Sequence, residues 1–215
     1  MSAKPRLVIW GASGHAKVVA DIVRLRGELE LVGFLDDLDP IAAGQPFFGA
    51  SVLGGQDQLG RLRERGVTHA IFGFGDGAAR LRLAPLLREL GFTLATAVHP
   101  RSVVAADAAV GAGSVVAAGA VVGPGSTLGE NVIVNTLAGV DHDSTLGDGS
   151  HVCPGAHLGG WVEVGEGAWI GIGATVRDRV KVGKRVVIGA GAVVLRDVPD
   201  GVVAYGVPAR IIREG

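Results

Sequence analysis

The sequence predicts two architectures in tandem: a small Rossmann-like α/β domain with a parallel sheet over residues 1–98, then a solenoid of stacked repeats over residues 99–215. Three observations carry this. From Val104 to Val194 every sixth residue, sixteen in all, is Val, Leu or Ile, with no phase slip. The fourth residue after each is only Ala, Ser or Val, and the residue directly after is commonly Gly, as at Gly111, Gly123, Gly165 and Gly183. The first hundred or so residues lack this period and alternate short apolar runs with stretches of helical spacing.

In the first domain, Arg6 to Trp10 reads as a strand, followed by a turn from Gly11 to Lys17 and a helix. Leu31 to Leu35 is a second strand ending at Asp36-Asp37, and a Pro/Gly-rich loop then spans Pro40 to Gly55. A polar helix covers Gln56 to Arg65, and His69 to Phe74 is a third strand, running into Gly75-Asp-Gly77. Another helix reaches Leu90, and Phe92 to Val98 is a fourth strand before His99-Pro100 breaks into the repeat. In a parallel sheet, ligands sit beyond the carboxyl ends of the strands. The Gly11–Lys17 turn, Asp36-Asp37 and Gly73–Gly77 all lie there. The first offers bare backbone N–H groups at a helix N-terminus, which suits a pyrophosphate, with His15 and Lys17 as added donors. Only Gly11 and Gly14 of a dinucleotide fingerprint are present, so an ordinary tight turn with solvent-facing His15 and Lys17 fits the same residues. Asp36 and Asp37 read either as ribose or base acceptors or as the start of a loop.

Composition excludes several classes. The formal net charge is -1 and 19% of residues are charged, so no global field favours nucleic acid or a membrane surface. The single cysteine, Cys153, rules out an internal disulfide and fits a reducing compartment. The start has no signal-peptide apolar core, and no apolar run is long enough to span a bilayer. The expectation is a soluble, cytoplasmic protein.

Within each six-residue unit strand alternation survives, because six is a multiple of two, while the corner recurs at a fixed phase. Gly after the inward aliphatic suits that corner through its backbone freedom, and the small fourth residue suits a narrow interior. The pattern resembles the hexapeptide-repeat family. That resemblance implies a left-handed parallel β-helix with three hexads per coil and about five coils here. A low-complexity Ala/Gly/Val segment does not explain sixteen matches in phase.

Chemistry is expected where the repeat breaks its own rule. After the aliphatic, Asn135, Asp141, Cys153, Arg177 and Leu195 replace small residues, and His142, His151 and His157 cluster near the first three. A coil of eighteen residues stacks Asn135 on Cys153, and places Gly159 and Gly160 after Asp141 and His142, which leaves a notch beside the imidazole. His142 and His151 lie half a coil apart, so one site can use both only across a subunit interface. His142, flanked by Asp141 and Asp143, has the make-up of a general base held by a carboxylate.

GASGHAKVVADI near the start, FLDD after the second strand and a hexapeptide helix closing on YGVPAR resemble, in order and over essentially the whole chain, the NeuD/PglD-type sugar acyltransferases. The resemblance implies acetyl-CoA as co-substrate with no metal. It implies N-acetylation of the 4-amino group of a nucleotide-linked 4-amino-4,6-dideoxy sugar, pointing most closely to GDP-linked perosamine, and a homotrimer with active sites between neighbouring β-helices. It implies a catalytic His142-Asp143 pair, with Asp where the family has Glu, and an active-site Asn135. It further implies cofactor contacts at His151, Gly160, Ile172 and Ala190, and nucleotide-sugar contacts at Ser13, Gly14, His15, Asp36, Asp37 and Gly75. A UDP-linked amino sugar, or O-acetylation of a sialic-acid-type sugar, keeps the mechanism and changes the acceptor. Three readings of other kinds compete. One is an acyl-enzyme on Cys153. Another is a zinc site of the γ-carbonic-anhydrase kind, whose ligand spacing differs from the nine and six residues separating His142, His151 and His157. The last is a non-catalytic solenoid, which gives no reason for the Asn/Asp/His/Gly cluster.

Overall fold

The computed structural model describes residues 3–214 and separates into two compact units that divide between Pro100 and Arg101. The first contains β1 (Arg6–Trp10), α1 (Gly14–Arg26), β2 (Glu30–Leu35), a hairpin of β3 (Pro46–Phe47) and β4 (Ala50–Ser51), α2 (Leu59–Glu64), β5 (Val67–Phe72), α3 (Gly77–Glu89), β6 (Thr93–Leu94) and β7 (Ala97–Val98). The parallel sheet runs β2-β1-β5-β6. Leu7, Val8, Ile9 and Trp10 are all buried, so β1 is covered on both faces, as a central parallel strand must be. Helix α1 lays Ala16, Val19, Ala20 and Val23 inward at helical spacing, and ends where Gly27 turns left-handed (φ 65°) and donates to the Val23 carbonyl. The strand order reverses between β1 and β5, which opens a crevice at their carboxyl ends.

The structure differs from expectation at three places in this unit. The third strand lies two residues earlier, because Gly73 already passes under α1: a Cβ there would stand 2.7 Å from the Ala16 Cβ. The expected fourth strand splits into β6 and β7, with the Ala95 N–H closing on the Ala70 carbonyl between them. The Pro40–Gly55 loop folds a hairpin whose two turn residues, Phe48 and Gly49, both have positive φ (39° and 75°), the turn that best follows strand twist.

The second unit is a parallel β-helix. Sixteen two-residue strands, from Val103–Val104 to Val193–Val194, bond in three parallel sheets. Each pairs with the strand eighteen residues on, as in Ile133↔His151↔Trp169 and Gly139↔His157↔Thr175. Every repeat aliphatic from Val116 to Val194 is buried. With the closing strand Val202–Gly206 paired parallel to Val187–Ile188, the solenoid makes about six turns, one more than the repeat alone gives. An antiparallel strand, Ala209–Glu214, finishes it.

The corner works differently from the sequence reading. The glycines directly after the aliphatics do not need positive φ; that conformation falls two residues later, at Gly113, Gly125, Gly149, Gly167 and their equivalents. The first set is glycine because coils stack too closely for a Cβ: at Gly111 it would lie 2.3 Å from the Gly129 oxygen, and at Gly165 2.5 Å from the Lys184 nitrogen. The small fourth residues line the narrow interior as expected. Ser114, Ser126 and Ser144 also tie coils together; Ser144 Oγ, for one, donates to the Gly159 carbonyl (3.2 Å) and accepts from the Val162 N–H (3.1 Å).

Candidate active site

His142 stands at the corner after Gly139–Val140. Its backbone N–H donates to Asp141 Oδ1 (2.8 Å), and its ring Nδ1 lies 2.8 Å from Asp143 Oδ2. A carboxylate beside Nδ1 fixes the tautomer with the proton on that nitrogen, leaving Nε2 with its lone pair outward. Both side chains are partly exposed, so the pair orients the ring and adds little to stability. The glycine expected to leave a notch does so in a specific way: Gly160 is the floor on which the imidazole rests. A Cβ there would come within 2.6 Å of both Cε1 and Nε2. On the next position Trp161 meets the imidazole edge-on, with centroids 4.5 Å apart and planes at 87°. His142, Asp141, His157, Gly160 and Trp161 all border one open groove of about 970 Å³. Over its floor His157 leans across Gly139.

Asn135 and His151 form a second cluster at another corner. Asn135 does stack on Cys153: its N–H donates to the Val152 carbonyl (2.9 Å). Asn135 Oδ1 accepts the Thr136 N–H (2.8 Å), which fixes the amide so that Nδ2 donates to His151 Nε2 (3.0 Å). His151 therefore carries its proton on Nδ1, and its buried ring packs against Trp169 with centroids 4.4 Å apart. Ile172 and Ala190 are exposed further along this corner, linked by the Gly191 N–H to the Ile172 carbonyl (2.8 Å). One chain thus brings Asp141, His142, Asp143 and Gly160 together, and separately Asn135 with His151. Cys153 is buried, and burial pushes its thiol up to about 12, so almost no thiolate exists at neutral pH. Among the described residues no three His, Cys, Asp or Glu side chains are grouped to hold a metal ion.

In the first unit a cavity of about 640 Å³ opens at the carboxyl ends of β1, β2 and β5. Gly11, Ser13, Asp36 and Asp37 border it; Gly14, His15, Lys17 and Gly75 do not. Gly11 needs to be glycine, with φ 122° and the Gly73 backbone 3.1 Å from where a Cβ would be. Asp37 is committed within the protein, accepting from the Trp10 indole (2.7 Å) and the Gln56 N–H (2.6 Å). Asp36 Oδ1 closes a turn with the Leu38 N–H (2.9 Å). Lys17 points instead at Phe47, 5.6 Å from the ring centroid. Gly75 gives its carbonyl to Arg80 (2.5 Å), which also reaches the Phe74 carbonyl (3.2 Å). Sequence reading missed Trp10, Phe74, Arg82 and Leu83 as lining residues, and buried Arg80 behind them, because single apolar or basic residues on a strand end or helix carry no spacing signal.

His15 is not solvent-facing. Burial first, then the nearby Arg80 guanidinium, hold its pKa down to about 4. Its ring is therefore neutral at pH 7. Between its usual 6.5 and about 4 the unfolded chain binds a proton that the folded protein refuses. Stability accordingly falls as pH is lowered through that window, by about 3 kcal/mol in full. Urea melts between pH 7 and pH 4 are expected to show this slope, and His15→Gln to flatten it; an equal slope in both proteins would remove His15 as its source.

Fold and site together define a hexapeptide-repeat transferase. Residues 162–196 match the family model of the bacterial transferase hexapeptide, and residues 6–87 match the PglD N-terminal domain. PerB from Caulobacter crescentus, solved with CoA and GDP-perosamine, is 40% identical, with a TM-score of 0.90 over 98% of this chain and 99% of that one. The acetyltransferase domain of PglB from Neisseria gonorrhoeae is 39% identical, with a TM-score of 0.91 over 97% and 100% of the two chains. A histidine-to-asparagine variant of the Caulobacter perosamine N-acetyltransferase, also with CoA and GDP-perosamine, matches at 39% identity and a TM-score of 0.91 over 99% of each chain. The chain belongs to the PglD-type family of hexapeptide-repeat sugar acetyltransferases.

Proposed function

We propose that the protein transfers the acetyl group of acetyl-CoA to the 4-amino group of a nucleotide-linked 4-amino-4,6-dideoxy sugar, GDP-perosamine above others, with His142 as general base. The observation that carries the reading is the His142–Asp143 pair at 2.8 Å, which leaves Nε2 as the acceptor beside an open groove. An ammonium is not a nucleophile, so the sugar amine must be neutral when it attacks, and it gives up one further proton as the amide forms. In the proposed step the amine nitrogen bonds to the thioester carbonyl carbon and His142 Nε2 takes the amine proton. The carbon–sulfur bond then breaks, and the thiolate leaves with that proton. Asp143 holds the ring and offsets the charge it gains; being one methylene shorter than Glu does not prevent this, since it already reaches Nδ1. Asn135 and His151, with Gly160, Ile172 and Ala190, serve the acetyl-CoA side, mainly through backbone groups at the last three. The N-terminal unit holds the nucleotide in the cavity bordered by Gly11, Ser13, Asp36 and Asp37. Because His142 and His151 occupy different corners of one coil, a homotrimer that joins corners of adjacent β-helices is part of the proposal, as is a cytoplasmic setting. No helix among the described residues is long and apolar enough to cross a membrane.

Release of free thiol from acetyl-CoA, measured against a panel of GDP-, UDP- and dTDP-linked amino and hydroxy sugars, tests the acceptor. The reading expects release with the GDP-linked 4-amino sugar. Turnover with only a UDP-linked sugar would move the acceptor, and turnover with only a hydroxy sugar would replace N- by O-acetylation. Cys153→Ala is expected to keep kcat within about twofold, as a buried neutral thiol does no chemistry. An inactive but folded Cys153→Ala protein would restore the acyl-enzyme.

A further inference from the structure

Three successive coils carry a non-glycine residue in the left-handed conformation at one corner: Asp143 (φ 56°), Trp161 (φ 55°) and Arg179 (φ 61°). The same phase of the repeat is glycine at Gly125, Gly149, Gly155, Gly167, Gly173 and Gly191, and Asn131, Leu137 and Arg185 are left-handed there without being glycine, but only this corner has three such residues in successive coils. A Cβ is unfavourable in that conformation, and bulky residues held there tend to mark functional sites. The three side chains form one column. Asp143 holds His142 Nδ1, Trp161 meets the same imidazole edge-on at 4.5 Å, and the Arg179 guanidinium lies 4.2 Å from the Trp161 ring centroid. The Trp161 N–H also donates to the His142 carbonyl (3.0 Å), so backbone and ring lock to the same residue. Trp161 stays half-exposed on the wall between two open grooves.

We infer that Trp161, backed by Arg179, is a positioning residue for His142. With Gly160 as floor, Asp143 at Nδ1 and Trp161 on the flank, the imidazole has one orientation, and Nε2 is the free corner of the ring. Arg179 stacks on the indole, holding it upright through a cation–π contact. The inference rests on the proposal that His142 is the base, and the test separates the two.

The test compares Trp161→Gly, Trp161→Phe and His142→Asn, measuring kcat, both KM values and Tm. Glycine suits φ 55° and keeps the backbone N–H, so a Trp161 with a merely structural role predicts an unchanged kcat in Trp161→Gly. The expected result is a kcat about tenfold to a hundredfold lower in Trp161→Gly with both KM values held, since a small misplacement of a reacting group costs this much. Trp161→Phe, which keeps a ring edge, is expected to recover most of it. Wild-type kcat in Trp161→Gly with His142→Asn inactive overturns the inference and leaves the base in place. A raised KM at wild-type kcat overturns it too, making Trp161 a binding wall. Active His142→Asn overturns the base itself, and the inference with it. If Trp161→Gly does not fold, Trp161→Leu, which keeps bulk without a ring, is expected to show the same split.

Discussion

Substituting Asn for His142 is expected to lower kcat by about 10²- to 10⁴-fold, the usual contribution of a positioned base, with the KM for acetyl-CoA unchanged. Asn is close to His in shape but has no lone pair of comparable basicity at the Nε2 position. The backbone contact of residue 142 with Asp141 survives, since it uses the N–H. The ring rests on Gly160, and removing it relieves no strain there, so the loss falls on the chemical step. Steady-state kinetics with titration calorimetry of CoA separate this from a binding defect. A variant that turns over normally would exclude His142 as base, and one that no longer binds CoA would place the residue on the cofactor side.

Gly165→Ala is expected to be among the most damaging small substitutions in the β-helix. The added Cβ would lie 2.5 Å from the Lys184 nitrogen and 2.6 Å from the Gly183 carbonyl carbon, and both are backbone atoms of the next coil. Backbone held in a parallel ladder on both sides cannot step aside, as the Gly165 N–H bonds the Val182 carbonyl (2.7 Å). The overpacking cost is about 2–3 kcal/mol, which lowers the melting transition of this unit by about 5–10 °C. Gly173→Ala is the control: nothing lies within 4 Å of its Cβ, and only its φ of 65° is unfavourable. Equal melting of the two variants by circular dichroism would contradict the stacking account of these glycines.

The β-helix was legible because its rule is periodic: the buried stack from Val116 to Val194 is the sequence pattern itself. The breaks in the rule were legible for the same reason, and they led to Asp141, His142 and Asn135. The eighteen-residue coil also places Gly160 against His142, where the imidazole rests on it. What the arithmetic could not reveal was why the glycines after the aliphatics are glycine, since stacking distance leaves no mark on a sequence. Trp161 stands three residues after its aliphatic, at a phase shared by glycines and by Asn131, Leu137 and Arg185, so its identity alone marks no site. The α/β unit was legible in outline and less so in its site. Asp37 turns inward to Trp10 and Gln56, and His15 is shielded by burial and Arg80. Such commitments depend on contacts between distant segments, which no local spacing encodes.

The central claim is that an amine on the sugar receives the acetyl group. The protein incubated with acetyl-CoA and GDP-perosamine, followed by NMR of the recovered nucleotide sugar, tests this most directly. The account predicts a new acetamide on the C4 nitrogen, one CoA thiol released per acetamide formed, and no acetylated protein. An acetyl ester on a sugar hydroxyl, an acetyl group retained on the enzyme, or an unchanged nucleotide sugar beside intact acetyl-CoA would contradict it.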